Sequence, residues 1–253
     1  MNRSLIALCK AVYKPLVRWA AYQILEGRLL DLEKPNKGRW LHSDVRGYLN
    51  ETWARCDSLI PVAGLEKLPT YGNRHNVFLA VMTTAAYQVM IERGVSSRYA
   101  IQLVGDLCWK IYALMLKTVS IPYRIATRDP GRRMEKILHA LMVFPFSAPG
   151  APGYEVRVWT EGSDTYTYWT HCPPQSFVRR LIELKGDRGE LTAFYNTWCL
   201  YDWPGADVLV NDGKHGHYSR VHTLSKGDSI CDMCWNGVPK VRSETTQRSE
   251  FNP

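Results

Sequence analysis

Tyr154-Glu-Val-Arg-Val-Trp-Thr-Glu-Gly-Ser-Asp-Thr-Tyr-Thr-Tyr-Trp-Thr-His-Cys172 alternates with a period of two on either side of Gly162-Ser163, and its aromatic and β-branched residues suit a pleated surface. It predicts a β-hairpin. Just before it, the segment 144–153 holds three prolines and two glycines in ten residues, which no regular element tolerates, so it reads as a loop. Upstream of that loop the apolar period is helical. Helices are predicted over about 43–59, 74–93 and 97–119, with a further one from an Asp129-Pro130 cap to about Met142. Downstream of the hairpin, Pro173-Pro174 ends the strand and helices follow over about 176–185 and 189–200. Asn211-Asp212-Gly213 is a turn, and His217 to Leu224 with Ser229 to Trp235 reads as a second hairpin across Ser225-Lys-Gly-Asp228. The expected class is therefore α+β, a helical N-terminal half packed on a C-terminal antiparallel sheet. One domain is expected over 1–236, mainly helical to 143 and sheet-containing over 154–236, followed by a flexible polar tail at 237–253.

With 253 residues, 45% of them hydrophobic, the chain can build a core without disulfides or a structural metal. Charged residues at 22%, with 18 Gly and 14 Pro, exclude collagen-like and globally disordered classes. No uninterrupted apolar run reaches the roughly 18 to 20 residues of a spanning helix. The best stretch, Ala100 to Val119, carries Gln102, Asp106, Lys110 and Lys117, so no bilayer span is expected. Seven scattered cysteines without a signal-peptide pattern point to reduced thiols and a cytoplasmic location.

The net charge of +8 is unevenly placed: residues 1–40 hold eight Lys/Arg against three Asp/Glu, a balance of +5. No nucleic-acid motif accompanies it, so no nucleic-acid partner is expected. The basic part coincides with a helical pattern from Ser4 to Leu32. Its predicted core side is Leu5, Leu8, Val12, Leu16, Trp19 and Ile24, with Arg3, Lys10, Lys14 and Arg18 on another side and a break or kink at Pro15. The basic side is either an ordinary solvated face or a contact for a membrane surface or an anionic partner.

Chemistry-bearing residues gather at element ends in the second half: Cys172 closes a strand, Cys199 ends a helix and Cys231 opens the last strand. Asp202 and Asp232 lie close to two of these thiols. Buried cysteine is often only a small apolar filler, and both readings stay open. Strand alternation puts Cys231 and Met233 on one face and Asp232 and Cys234 on the other, so only one of Cys231 and Asp232 can enter a shared site. The same rule parts Cys231 from Cys234 and argues against zinc held by them with His215, His217 and His222. Arg220 and His222 should share a face and line one wall. Tyr168 and Trp198 are candidate ligand-contacting aromatics.

The final segment from Arg220 through Thr223-Leu-Ser-Lys-Gly-Asp228 to Cys231-Asp-Met-Cys-Trp235 resembles the closing motif of the L-2-amino-thiazoline-4-carboxylic acid hydrolase family. Tyr168-Trp-Thr-His-Cys172 is similar to that family's strand ending in cysteine, and Phe194-Tyr-Asn-Thr-Trp-Cys-Leu-Tyr-Asp202 to its Cys-x-x-Asp segment. Met233 stands where the family usually has Phe, and Cys234 where a basic residue is common. The resemblance covers about 150–236 and implies an intracellular hydrolase that opens a small thiazoline or cyclic amidine-type ring with water. Such a reaction needs a base for water, a protonated ring nitrogen and a proton for the departing sulfur. Asp202 or Asp232 would serve as base; alternatively Cys231, Cys199 or Cys172 would attack as a thiolate with His222 or Arg220 lowering its pKa. Arg220, Tyr168 and Trp198 would contact substrate, with no cofactor or metal. Two rival expectations remain: a non-catalytic small-molecule-binding domain similar to vinyl-reductase-type ligand domains, and a metal or iron–sulfur protein ligated by cysteine.

Overall fold

The computed structural model describes residues 2–240. The part of the expected polar tail from 241 to 253 lies outside them. The class is α+β, and two compact units divide the chain, one made of the stretch up to Ile111 plus Pro173–Thr197, the other of Tyr112–Cys172 plus the stretch from Trp198 onward.

In the first unit, α1 (Asn2–Leu25), α2 (His42–Ala63), α3 (Tyr71–Glu92), the beginning of α4 (Ser97–Ala126), α6 (Pro173–Lys185) and α7 (Glu190–Thr197) make a helical assembly. Its centre is α3, whose residues from Val77 to Met90 are nearly all buried. Thr70 caps that helix, its hydroxyl accepting from the Asn73 N–H at 3.1 Å. The predicted break at Pro15 is absent and α1 runs through it. Pro15 and Ala11 both face solvent, so the helical bond that proline removes leaves a carbonyl that water can serve.

The buried side of α1 also differs from expectation: it is Cys9, Tyr13, Val17, Ala20, Ala21 and Leu25. Two polar contacts fix this rotation, the Tyr13 hydroxyl to His75 Nε2 at 2.8 Å and Lys10 to Asp57. Leu8, Val12 and Trp19 are left exposed. By length and composition, α4 is the one helix among the described residues apolar enough to cross a membrane. Its Asp106 pairs with Arg28 at 2.5 Å, and Leu103, Val104 and Leu107 are buried.

The second unit carries the sheet, β1 (Glu155–Glu161), β2 (Asp164–His171), β3 (Tyr218–Ser219) and β4 (Cys231–Trp235), antiparallel in the order β1-β2-β4-β3. The first hairpin matches the prediction, with Glu161 opposite Asp164 and Gly162 at φ +61° in the two-residue loop. Register then assigns faces. Val156, Trp169, Thr167, Cys231, Met233, Trp235 and Tyr218 share the inner face; Arg157, Trp159, Tyr166, Tyr168, Asp232 and Cys234 share the outer one. On the inner face both the Trp169 and Trp235 indole N–H groups donate to the Thr167 hydroxyl, at 3.0 and 2.9 Å.

Helix α5 (Pro130–Val143) packs on β2, and α8 (Asp202–Val210) packs on α5 and β3. The Asp129 cap is as predicted, accepting from the Arg132 N–H at 2.7 Å. Buried Arg133 donates to the Val210 carbonyl at the end of α8. The sequence did not predict α8. The second hairpin is also shorter than expected, since β3 has two residues and positions 220–230 form a loop around a 3-10 turn at Leu224–Lys226.

Candidate active site

The loop over 220–230 is held by Asp228 within it and by Asp232 on β4. Asp228 Oδ2 accepts from the Thr223 N–H at 2.7 Å, and Gly227, at φ +98°, makes the reversal between them. Asp232 Oδ1 accepts from the N–H groups of Val221 and His222 at 3.0 and 2.6 Å. These bonds take the amides that a longer β3 would have offered to β4. The chain is thereby turned so that Arg220 and Ser225 reach Asp202 and Cys199 at the start of α8.

There Asp202 occupies the first position of α8, after a 3-10 turn at Cys199–Tyr201. Its Oδ2 accepts from Arg220 Nη1 and from the Tyr218 hydroxyl, each at 3.2 Å. Arg220 Nη2 donates to the Cys199 carbonyl at 3.3 Å, and the guanidinium lies 4.6 Å from the Trp203 ring centre. The Arg220 side chain is 2% exposed but that of Asp202 keeps 18%, so the carboxylate is the member of the pair that solvent or a ligand reaches. Burial raises the Asp202 pKa to about 6, with Arg220 and the Tyr218 hydroxyl limiting the rise. Arg220 stays cationic: the surrounding acidic groups raise its pKa despite burial.

Two thiols adjoin this pair. Cys199 Sγ is 3.2 Å from the Ser225 hydroxyl. Cys231 Sγ accepts the Leu224 N–H at 3.2 Å and lies 3.4 Å from the Thr223 hydroxyl. The charge of Arg220 favours both thiolates, but burial is the larger effect, pushing Cys199 up to about 12 and Cys231 above its ordinary value. Both are thiols at neutral pH. Cys172 is further along the inner side, half-buried, and packs with Leu224 against the cluster of Tyr154, Trp169 and Cys231.

The expected site residues therefore fall into two groups on opposite faces of the sheet. Asp202, Arg220, Cys199 and Cys231 converge, with Cys172 beside Cys231. His222, Asp232 and Tyr168 lie elsewhere. His222 is exposed and its Nδ1 is 2.7 Å from Asp232 Oδ2, a contact that raises its pKa. Asp232 is held below the usual carboxylate range, where its hydrogen bonds from His222 and Val221 outweigh burial. Tyr168 is opposite Asp232 on the outer face and meets Trp159 edge-on at 4.7 Å.

Hence the expected common wall of Arg220 and His222 is corrected: the strand ends at Ser219, before either residue, and period-two alternation no longer applies. His222 makes its carboxylate contact with Asp232 rather than with any thiol. Trp198 is half-buried and precedes Cys199 at the entry to the 3-10 turn.

Sequence reasoning missed Tyr218, Ser225 and Thr223. Tyr218 stands two residues before Arg220 and was legible as its neighbour on a strand face; the two hydroxyl residues lie inside the quoted motif. Among the described residues, no group of three or more His, Cys, Asp or Glu side chains is arranged to hold a metal ion. Cys231 and Cys234 lie on opposite faces of β4, and Cys234 Sγ donates to Asn236 Oδ1 at 3.2 Å. Comparison with known proteins found no matching family model, curated protein or solved structure.

Proposed function

We propose that the protein is a cytoplasmic hydrolase that opens a small thiazoline or cyclic amidine-type ring, with Asp202 carrying the proton. The observation that supports this reading is the carboxylate of Asp202, partly accessible and raised to about 6, above a sealed and permanently charged Arg220. A base with that pKa is mostly ionised at neutral pH and strong enough to accept a proton from attacking water. Seven free thiols suit a reducing compartment.

In this reading Asp202 takes a proton as water adds to the ring carbon between nitrogen and sulfur. The tetrahedral centre then collapses: the added hydroxyl becomes a carbonyl and gives its proton to solvent, the carbon–sulfur bond breaks, the proton held on Asp202 passes to the departing sulfur, and the ring nitrogen keeps the proton with which it entered. Arg220 keeps the carboxylate oriented and ionised, and Tyr218 supports the same oxygen. Cys199 and Cys231 remain protonated and shape the surroundings; the raised pKa values favour this carboxylate route over thiolate attack. His222, Asp232 and Tyr168 take no part in the reaction on this reading.

The test is incubation with 2-aminothiazoline-4-carboxylate and related cyclic amidines, following new thiol and binding heat in parallel. Turnover that falls at least about 100-fold in Asp202→Asn, with ligand still bound, supports the proposal. Binding without conversion by the wild type would instead identify a ligand-binding domain.

A further inference from the structure

Helix α1 presents a second face that the folded unit does not use. Leu8 is 62% exposed, Val12 48% and Trp19 45%, and with Pro15 they recur at spacings of four, three and four along one side. Over these positions the stripe extends about 16 Å at 1.5 Å per residue. Leu5 and Leu16 flank it, half-buried.

The charge that the helix itself carries has one sign. From Asn2 to Leu25 there is no Asp or Glu, and Lys14 and Arg18 are exposed along its margin. Lys14 sits over the Trp53 ring at 5.6 Å and Arg18 over Tyr22 at 6.0 Å, contacts that leave both cations facing outward. Lys110 lies 5.0 Å from the Trp19 ring centre and adds a third cation at the end of the stripe. Lys10, in contrast, is occupied by Asp57.

We propose that this face of α1 is a docking surface for an anionic lipid bilayer, lying in the plane of the interface. A single convex helix with shallow aliphatic side chains, an indole and a basic margin fits the boundary between headgroups and acyl chains. Complementarity of charge selects anionic headgroups, since no acidic residue of the helix opposes them. A protein partner would need a groove shaped to receive this ridge. The surface is distinct from the Asp202 group and stands whether or not the catalytic proposal holds.

The experiment is co-sedimentation of the full chain with phosphatidylcholine vesicles and with vesicles in which about 30% of the lipid is phosphatidylglycerol. The expected result is at least about tenfold stronger binding to the anionic vesicles, most of it lost in about 0.5 M salt. Val12→Asp with Trp19→Glu should remove the binding while circular dichroism and thermal midpoint stay unchanged, because both positions are exposed. Lys14→Glu with Arg18→Glu should weaken it about tenfold and flatten its salt dependence. Equal, weak recovery with both vesicle types would overturn the proposal. A wild-type dimer in solution that Val12→Asp with Trp19→Glu converts to monomer would also overturn it, by assigning the face to a second copy of the chain.

Discussion

Asp202 is an ionisable side chain whose burial and partner work against each other. Burial favours its neutral form, Arg220 its charged form, and the net result is a pKa raised to about 6. Replacing Arg220 by Gln should therefore move the carboxyl pKa further upward, and with it the acidic limb of any activity profile. The same substitution leaves a buried carboxylate without its cation, so it should also cost about 3 kcal/mol of stability, measurable by urea unfolding. The raised native pKa has a second consequence for stability. Relative to the unfolded chain, the native state gains from holding a proton on Asp202, and this advantage fades as the pH climbs from about 4 through about 6. Asp202→Asn should lack that component of the pH dependence, which paired unfolding curves at pH 4.5 and 7 would show. Much of this group was legible: Cys199, Asp202, Arg220 and Cys231 stand in the quoted motifs. Their protonation states were not, because burial rather than neighbouring residues sets the thiols.

At the scale of elements, the first hairpin could be read directly, since alternation across β1 and β2 and a two-residue glycine turn are local signals. Helix α8 could not. Pro204 and Gly205 look like breakers, yet proline within the first helical turn removes an N–H that has no helical partner. Gly205 has a positive role as well, since a Cβ there would lie 3.3 Å from Leu116 and 3.7 Å from Tyr112 in the middle of α4. The short β3 was hidden for another reason, that side-chain acceptors replace the ladder. This gives a test of the loop over 220–230: Asp228→Ala removes the acceptor of the Thr223 N–H and should cost about 2 kcal/mol. Hydrogen exchange at Thr223 and Leu224 should accelerate accordingly, and unchanged protection there would show that the carboxylate does not hold the turn.

Across the whole molecule, reduced cysteine and burial make a combined prediction. All seven cysteines are free, and burial raises the pKa of Cys9, Cys56, Cys108, Cys199, Cys231 and Cys234. A native sample at pH 7.4 should react slowly with a disulfide reagent at these six, and all seven should titrate after denaturation. A fast stoichiometric reaction at Cys199 or Cys231 would instead favour thiolate attack over the carboxylate route. The α+β class followed from periodicity, whereas the division into two units did not. The helix pair at 173–197 joins the first unit although it follows the hairpin in sequence, and such long-range grouping leaves no local trace. The rotation of α1 was equally hidden, because both of its sides are apolar and contacts distant in sequence, such as Tyr13 with His75 and Lys10 with Asp57, select between them. The central claim, that Asp202 held by Arg220 carries the proton, is tested most directly by the pH dependence of kcat/KM on a ring substrate. Activity should rise with pH through an inflection near 6, and the inflection should move upward in Arg220→Gln. An inflection that stays in place in that variant, or full activity in Asp202→Asn, would contradict it.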